Sequence, residues 1–338
     1  MDMDIAVETT GAELPAIPHL DVSNGGVSAL VHGAPDRFAA MLDAGRRHYG
    51  ALAMSLGNGV SRRWLERNAN PYLGEINALA ALTDEPGVHL LNLSYEWTCT
   101  SAAGADPAGT GARMLRTLDW PLHGLGRNVL VGRMSGPAGT YENVTWPGFS
   151  GIATAMAAGR FAAAINQPPM RKWTTSCWFD WGVNRWNLWR RRALPPVHLL
   201  RRVFDHCRDY AEARDVLLRE PIAMPAFFTL VGTEPDQGCV IERTEDGAIE
   251  RPAPVSVANH WVATDVPGRY RGFDSPGRFA LMETERDRAG ADRPFDWIKP
   301  PILNPTTRLA VLANPAIGRL VVQGWEEDGP ATAVLELT

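Results

Sequence analysis

Hydrophobic residues recur every three or four positions in several stretches of this chain, which is the spacing of one face of a helix. These stretches predict helices over residues 35–68, 72–82, 195–220 and 275–289. The residues before about position 35 are rich in Gly, Pro and Ala and show weak periodicity. We expect them to form an extended lead-in to the first helix.

Between the helical stretches, apolar residues form short runs that are separated by Gly- or Pro-containing turns, and this pattern predicts strands. The predicted strands cover residues 88–101, 112–120, 128–134, 142–146, 151–157, 160–166, 227–232, 238–244, 255–263, 308–312, 319–323 and 332–337. Most of the connections are short enough for hairpins, so the sheets are expected to be largely antiparallel. Strands, a helical block and strands again favour an α+β fold in which helices cover sheets.

The composition is that of an ordinary globular chain, with 338 residues, 45% of them hydrophobic and 21% charged. A net charge of −5 gives no support to a nucleic-acid partner, because phosphate binding needs a basic surface. The acidic start is unlike a secretory signal, and no apolar run is long enough to span a membrane. We therefore expect a cytoplasmic protein.

The cysteines and glycines argue against a bound cofactor. Four cysteines lie far apart and form no CxxC pair, so neither a zinc site nor a disulfide framework is predicted. No glycine-rich phosphate-binding pattern follows a predicted strand. We expect reduced thiols and neither a metal nor an organic cofactor.

Cys99 is the first candidate for chemistry, since it lies at a strand start among small hydroxyl residues. A lone cysteine is usually a small buried hydrophobic residue. No histidine lies nearby in the sequence to serve as its base. A cysteine at a newly cleaved terminus needs none, because its own α-amino group has a pKa of about 7.7–8.0 and can take the thiol proton.

Arg116 and Asp119 lie on the next predicted strand and are the second candidates. An arginine beside the thiol would favour the thiolate by opposite charge. An aspartate could hold a freed amine in position. An ordinary salt bridge at a strand end explains the same two residues equally well.

In this region the sequence resembles the acid ceramidase and N-acylethanolamine acid amidase family of N-terminal-nucleophile (Ntn) hydrolases, which is related to choloylglycine hydrolases and penicillin acyltransferase-like enzymes. The resemblance covers roughly residues 70–290 and rests on these elements in family order: Tyr72-x-x-Glu75-Ile76, Cys99-Thr100-Ser101, Arg116-x-x-Asp119, Thr145-Trp146-Pro147-Gly148, Ile165-Asn166, Ala258-Asn259-His260-Trp261 and Ser275-x-x-Arg278. One element departs from the family, because Thr117 stands where the family has Asn.

The resemblance implies a four-layer αββα sandwich and self-cleavage between Thr98 and Cys99. Residues 1–98 and 99–338 would then form one structural domain. The cleaved protein would hydrolyse a linear amide bond of a small N-acyl substrate, with a fatty or otherwise apolar acyl group, through a thioester on Cys99.

The resemblance also assigns roles to the candidate residues. Cys99 would be the nucleophile, Arg116 would lie beside the thiol and Asp119 would orient the freed amine. Asn259 would donate its side-chain amide to the oxyanion, and Arg278 would organise the site by charge. A strand-end cap for Asn259 and a solvated helix position for Arg278 are the plainer alternatives.

We expect further residues to contact the substrate. They are Trp146, Asn166, Gln167, Trp178 and Trp181. Gln167 stands where the ceramidase branch has a glutamate. This loss of a carboxylate weakens a direct assignment to ceramide or N-acylethanolamine substrates.

Residues 173–192 hold five of the twelve tryptophans, accompanied by arginines. The segment could be an insertion whose rings pack on the body of the protein. It could also be a lid over an acyl pocket, or an anchor that makes peripheral contact with a membrane, because Trp and Arg favour the headgroup region.

Three other functions stay open at this point. Resolution of the thioester by an amine would make the protein an acyltransferase. A catalytically silent relative would bind lipid or a membrane surface. In an unrelated α/β protein, Cys99 would be an ordinary core residue.

Overall fold

The computed structural model of the protein describes residues 13–288 and 293–338. The helices in these ranges are α1 Gly26–Gly33, α2 Pro35–Tyr49, α3 Ala51–Arg67, α4 Leu73–Ala80, α5 Val88–Asn92, α6 Leu125–Asn128, α7 Cys177–Arg190, α8 Pro196–His206, α9 Tyr210–Arg219 and α10 Ser275–Glu285. The strands are β1 His19–Asp21, β2 Thr98–Ala105, β3 Ala112–Asp119, β4 Leu130–Gly136, β5 Gly139–Thr145, β6 Thr154–Ala157, β7 Phe161–Asn166, β8 Met170–Arg171, β9 Ala226–Val231, β10 Gly238–Arg243, β11 Ala248–Pro252, β12 Val255–Val257, β13 Gly268–Arg269, β14 Thr307–Asn314, β15 Arg319–Glu326, β16 Gly329–Pro330 and β17 Leu335–Leu337.

Two large sheets form the centre of the fold. The first has the strand order β1-β4-β5-β6-β7-β9-β10-β11, and the second has the order β12-β2-β3-β14-β15-β16, with β17 also paired to β15. Within the described ranges, β1 and β4 run parallel and every other pair of these strands is antiparallel. The prediction of largely antiparallel sheets is confirmed.

The two sheets lie face to face and are covered by helices on their outer sides. Strands β2 and β3 contact β7 and β9 across the interface between the sheets. Helices α8 and α9 pack on the first sheet, while α10 packs on β2 and β12 of the second sheet. The order helix, sheet, sheet, helix is the predicted αββα sandwich of an α+β fold.

Strand β2 carries Cys99 and is buried on both faces. Its side chains alternate between the faces, as in any strand. Cys99 and Ala103 belong to the large core between the sheets, whereas Ala102 belongs to a second core under α10. The small residues of β2 therefore suit a strand that is covered on both sides.

The prediction of a strand from residue 88 is wrong, because residues 88–92 form α5. A short apolar run fits a buried helix as well as a strand. The N-terminus of this helix is fixed by a distant residue, since the backbone N–H groups of Gly87 and His89 donate to Asn58 Oδ1 at 3.1 and 2.9 Å. Because Asn58 lies about thirty residues earlier in the chain, this contact leaves no pattern in the sequence around residue 88.

The long helices predicted over residues 35–68 and 195–220 are each two helices. Gly50, with φ of 82°, separates α2 from α3. The segment 207–209 separates α8 from α9, and Asp209 caps α9 by accepting a hydrogen bond from Glu212 N at 2.9 Å. The apolar spacing continued across both breaks, so periodicity alone did not reveal them.

Two other boundaries also differ. The lead-in contains the extended strand β1 and the helix α1, so the prediction of an extended segment is wrong for residues 26–33; residues 1–12 lie outside the described ranges. The strand predicted over residues 255–263 ends at Val257, because the N–H groups of Val262 and Ala263 bind the Glu242 carboxylate instead of a strand. Helix α10 ends at Glu285, and the predicted end at residue 289 is outside the described residues.

Candidate active site

Cys99 is held at three atoms by three different side chains. Its backbone N donates to Asn259 Oδ1 at 2.9 Å, and its backbone O accepts from Arg278 Nη1 at 2.8 Å. Its Sγ lies 3.4 Å from Arg116 Nη2. The residue has no exposed surface. The backbone contacts satisfy groups that any buried residue must pair, whereas the contact between Arg116 and the sulfur is not needed by a simple core cysteine.

Arg116 lies on β3, which is paired with β2, and its side chain points into the space between the sheets. Its Nη1 donates to Ile165 O at 2.8 Å, and the same carbonyl lies 3.6 Å from the thiol. The guanidinium is therefore fixed between the Ile165 carbonyl, near the end of β7, and the Cys99 sulfur. This places a positive charge where a thiolate would form.

The thiol is protonated at neutral pH in the intact chain. Burial raises the pKa of Cys99 to about 11, although Arg116 and Arg278 act in the opposite direction. In the intact chain, the backbone nitrogen of Cys99 is an amide and cannot accept the thiol proton. The two arginines alone do not supply an active thiolate.

Asp119 lies on the opposite face of β3 from Arg116, because the two residues are three positions apart. It accepts hydrogen bonds from Asn304 Nδ2 at 3.1 Å and Thr307 Oγ1 at 3.0 Å, and Arg278 Nη1 lies 3.5 Å away. Burial raises the pKa of this carboxyl, while Arg278 and both hydrogen bonds oppose the rise. The register pairs Asp119 with Thr98, directly before Cys99.

Asn259 and Arg278 form a connected pair behind the Cys99 backbone. Arg278 Nη2 donates to Asn259 Oδ1 at 2.8 Å, so two donors converge on that oxygen. The amide nitrogen of Asn259 then donates to Gln167 O at 2.7 Å. The predicted oxyanion donor is thus engaged by a carbonyl in the intact chain, although its direction is firmly set.

Ser275 and Arg278 act from adjacent positions on α10, since residues three apart share a helix face. The Ser275 hydroxyl accepts from Asn259 N at 2.8 Å and contacts His260 Nδ1 at the same distance. Arg278 also donates to the Thr100 hydroxyl at 3.0 Å. The first turn of α10 therefore anchors both Asn259 and the start of β2.

Two neighbouring cavities approach this site. A cavity of about 90 Å³, here called the polar cavity, is lined by Gln167, Arg171, Arg271 and Glu245 among others. A cavity of about 390 Å³, here called the apolar groove, lies between α3, α5 and α7 and includes Leu56, Val60, Trp64 and Leu90. They share five lining residues, which are Tyr95, Trp181, Arg185, Leu188 and Met224.

The five predicted substrate contacts lie in different environments. Gln167 and Trp181 line the polar cavity. Asn166 is buried and accepts from Ser101 Oγ at 2.7 Å, while the buried Trp146 donates to Leu125 O at 2.8 Å. Trp178 is 84% exposed and lines neither cavity. Of the five, Gln167 and Trp181 line the two cavities next to the site, while Trp146 lines a separate apolar cavity of about 40 Å³.

The Trp-rich segment forms helix α7, which lies over the apolar groove. Trp64 of α3 donates to Leu188 O at 3.2 Å, and the Arg67 guanidinium lies 5.8 Å from the Trp189 ring centre. The carboxylate of Asp180 anchors the helix start, because it accepts from Thr174 N at 2.8 Å and from Arg269 Nε at 2.7 Å. The segment is therefore an ordered wall of the groove.

Several site residues had no signal in the sequence. Asn304 and Thr307 lie more than 180 positions from Asp119 and reach it only through the pairing of β14 with β3. Arg271 belongs to a loop without any recognisable pattern. In the described ranges, no group of three or more His, Cys, Asp or Glu residues is arranged to hold a metal ion. None of the helices seen there is long and apolar enough to cross a bilayer.

Comparison with known proteins shows sequence similarity to acid ceramidases. The chain is 24% identical to acid ceramidase from Bos taurus over 279 residues, with 74% of this chain and 68% of that protein covered. It is 22% identical to the Homo sapiens protein over 277 residues, with the same coverage of 74% and 68%. No family model matches the chain.

A solved structure shares the fold. The Caenorhabditis elegans N-acylethanolamine-hydrolyzing acid amidase ortholog superposes with a TM-score of 0.50 at 17% identity, covering 71% of this chain and all (100%) of that chain. These similarities support assignment of the chain to the N-terminal-nucleophile hydrolases, as an amide hydrolase similar to acid ceramidase.

Proposed function

We propose that the protein is a cysteine amidase that hydrolyses the C–N bond of an N-acyl amide after cleaving its own chain between Thr98 and Cys99. The observation that carries the proposal is that three side chains contact three different atoms of Cys99. Asn259, Arg278 and Arg116 fix its nitrogen, its carbonyl oxygen and its sulfur. This restraint suits a residue that acts at both its amine and its thiol.

Self-cleavage begins with attack of Cys99 Sγ on the Thr98 carbonyl carbon. The new S–C bond replaces the C–N bond to Cys99, and the departing nitrogen takes a proton, so the thiol proton is conserved. Water then hydrolyses the thioester, which leaves a carboxylate on Thr98 and a free amine and thiol on Cys99. This amine is the proton acceptor that the intact chain lacks.

Catalysis repeats these bond changes on a substrate. The freed amine takes the thiol proton, sulfur attacks the amide carbonyl, and the amine returns a proton to the leaving nitrogen. Water resolves the thioester and releases the acid. We assign Arg116 to favouring the thiolate, Asp119 to orienting the amine and Asn259 to stabilising the oxyanion.

The apolar groove supports a fatty acyl group on the substrate. Its lining is dominated by apolar side chains from α3, α5 and α7, and it joins the polar cavity next to Tyr95. Burial of apolar chain stabilises binding by about 25 cal/mol per Å². A groove of this character is suited to an alkyl chain more than to a sugar or a peptide.

Intact mass under denaturing conditions tests the self-cleavage. The wild-type chain is expected to give fragments 1–98 and 99–338, and the Cys99→Ala chain a single species. Cys207→Ala is the matched control, because this buried thiol lies outside the site. A wild-type chain that stays whole through acid and neutral incubation contradicts the proposal and favours a silent lipid-binding relative.

Hydrolysis is then measured on a fluorogenic fatty anilide with and without added amine. Release of the fluorophore together with free fatty acid identifies a hydrolase. An acyltransferase would instead give an N-acyl product in the presence of the amine. Cys99→Ala is expected to abolish either reaction.

Peripheral contact with a membrane is a second part of the proposal. Leu52, Leu56 and Val60 lie four residues apart on α3 and are 72%, 63% and 55% exposed. Trp178 and Trp186 on α7 are 84% and 62% exposed. Leu56 and Val60 also line the apolar groove, so part of this exposed apolar surface continues into the groove.

Liposome co-sedimentation tests this contact. The wild-type protein is expected to pellet with vesicles of a neutral phosphatidylcholine and an anionic phosphatidylserine, and Trp178→Ser/Leu52→Ser is expected to remain soluble. Ile317→Ser is the control, because Ile317 is 47% exposed and lines neither cavity. Equal pelleting of all three proteins would refute the contact.

A further inference from the structure

The polar cavity carries an excess of positive charge. Its charged lining residues are Arg171, Arg185, Arg271 and Glu245, which is three cations and one anion. In the part of the chain that the structure describes, neither Arg185 nor Arg271 forms an ion pair with a carboxylate. The nearby Glu96 is already engaged, since it accepts from Tyr49 Oη at 3.0 Å and lies 3.2 Å from His48 Nε2.

The polar contacts of these two arginines are few. Arg271 Nη1 donates to Tyr95 O over a long 3.5 Å, and its buried Nε has no hydrogen-bond partner among the described residues. Arg185 lies 5.5 Å from the centre of the Trp181 ring. Burial, and to a smaller extent the charge of Arg185, lower the pKa of Arg271 to about 10, while the charge of Glu96 opposes this change. The charge of Glu96 acts on both arginines, and Arg185 is exposed, so the three arginines of the cavity outnumber the two carboxylates near them, Glu245 and Glu96.

The loop that carries Arg271 lies against Thr98, at the bond that is proposed to be cleaved. Gly272 follows Arg271 directly, and a Cβ at Gly272 would lie 2.5 Å from the Thr98 hydroxyl oxygen. On the other side of the polar cavity, Gln167 O accepts from Asn259, which in turn holds Cys99. Gln167, which also lines the polar cavity, is uncharged. Arg185 lines both cavities and marks the point where the apolar groove begins.

We propose that the polar cavity binds the carboxylate of an N-acyl amino acid, with Arg271 and Arg185 as its partners and the acyl chain in the apolar groove. This inference rests on the proposed amidase function and narrows its substrate class. The carboxylate of such a molecule is two bonds from the amide nitrogen, so a cation on the loop that contacts Thr98 suits it. An arginine binds a carboxylate through paired N–H donors, which a neutral alcohol cannot match.

Direct binding to the uncleaved Cys99→Ala chain tests the inference apart from catalysis. Trp181 lines the cavity, so intrinsic fluorescence reports occupancy. N-dodecanoylglycine is expected to bind about tenfold more tightly than N-dodecanoylethanolamine, which has a hydroxymethyl group in place of the carboxylate, and more tightly than dodecanoate. Arg185→Gln/Arg271→Gln is expected to remove the preference, and salt is expected to weaken it.

Arg190→Gln is the control, because Arg190 lies on the same helix, is exposed and lines neither cavity. Equal affinity for the glycine and ethanolamine conjugates would overturn the inference. Equal affinity for dodecanoate would also overturn it, since the cations would then bind the acid product. An unchanged preference for the glycine conjugate in Arg185→Gln/Arg271→Gln would likewise overturn the inference.

Kinetics separate this inference from the amidase proposal. With the wild-type enzyme, kcat/KM is expected to favour N-dodecanoylglycine by about tenfold, and the double arginine variant is expected to lose this factor through KM. Hydrolysis of the ethanolamine conjugate at an equal or higher rate refutes the inference and leaves the amidase intact. Arginine-dependent binding without hydrolysis of any acyl amide refutes the amidase and supports the carboxylate site.

Discussion

At the residue scale, Arg278 connects groups from four parts of the chain. Its guanidinium donates to Phe273 O, Cys99 O and Asn259 Oδ1 at 2.6, 2.8 and 2.8 Å, and it lies 3.5 Å from Asp119. The side chain is fully buried. A buried cation with these partners is costly to remove, because each partner then loses its compensation.

We expect Arg278→Gln to lower the free energy of unfolding by about 3–5 kcal/mol, since Asp119 is left as an uncompensated buried carboxylate. Urea denaturation in the Cys99→Ala background measures this on a single chain. The exposed Arg288→Gln is the control, with an expected change within about 0.5 kcal/mol. Similar values for the two variants would show that Arg278 is not structurally important.

His198 is a buried neutral histidine whose tautomer is set by a neighbour. Asn70 Oδ1 accepts from Tyr72 N at 3.0 Å, so Asn70 Nδ2 is the donor to His198 Nδ1 at 2.9 Å. The proton of the neutral ring is then on Nε2, which has no partner in the described residues. Burial and the charge of Arg201 lower the pKa of His198 to about 3.

Stability is therefore expected to fall as the pH drops from about 6.5 towards 3, because the unfolded chain binds a proton that folded His198 rejects. The contribution is about a tenfold change in the unfolding constant per pH unit. Urea midpoints between these pH values should fall less steeply for His198→Gln than for the parent chain. The exposed His32→Gln should keep the parent slope, and an unchanged slope in both variants would be the contrary result.

The residues around Cys99 show what the sequence could predict at this scale. Arg116, Asp119, Asn259 and Arg278 lie together because a hairpin, a sheet edge and one helix turn bring them there, and family motifs mark each position. Asn304 and Arg271 have no such marks. Their position depends on a long-range strand pairing and on a loop conformation, and neither leaves a local pattern.

At the scale of elements, a glycine decides where a helix ends. Gly50 has φ of 82° and ψ of 151°, a conformation that is almost restricted to glycine. Gly59 lies in the middle of α3 with ordinary helical geometry, and an added Cβ there meets no atom within 4 Å. The two glycines of one helical hairpin therefore have opposite requirements.

Gly50→Ala is expected to destabilise the protein by about 1–3 kcal/mol through backbone strain. Gly59→Ala is expected to stabilise it by up to about 1 kcal/mol, because alanine loses less backbone freedom in a helix. Thermal unfolding of both variants in the Cys99→Ala background compares them directly. A gain in stability for Gly50→Ala would mean that the break between α2 and α3 is not required.

Helix α7 is expected to depend on Asp180, whose carboxylate joins Thr174, Trp173 and Arg269. Asp180→Ala should release the helix start, so trypsin should cleave after Arg185 and Arg190 several times faster. Mass mapping of the fragments over time measures this. Asp236→Ala, in an exposed turn, is the control, and equal digestion of both variants would exclude Asp180 as an anchor.

Elements were predicted best where the residues they pair with lie nearby in the sequence. The hairpins of the sheets match the sequence pattern because adjacent strands pair with each other. Helix α5 does not, since its apolar run packs against α3 and α4 and its cap is Asn58. The breaks at Gly50 and at residues 207–209 were missed because hydrophobic spacing continues through a turn that keeps the same buried face.

At the scale of the whole molecule, residues before and after the proposed cleavage site share one core. Leu30, Leu65 and Trp97 belong to the same buried cluster as Leu130 and Phe161. Strand β1 also pairs with β4 across this division. The core that would hold the two fragments together is therefore the main core of the protein.

Fragments 1–98 and 99–338 are accordingly expected to remain associated after cleavage. Native size exclusion should give one peak that contains both masses, and separation should require denaturant. Two separate native peaks would contradict a shared core. The uncleaved Cys99→Ala chain, eluting at the same volume, is the reference.

The complete burial of Cys99 has a kinetic meaning as well. A sulfur with no exposed surface cannot reach a carbonyl on another molecule, so the first bond it can break is the one in its own backbone. Maturation should then follow first-order kinetics, with a half-time that is the same in dilute and concentrated solution. Each molecule would mature independently of the others, and added mature enzyme would not accelerate cleavage of the uncleaved chain.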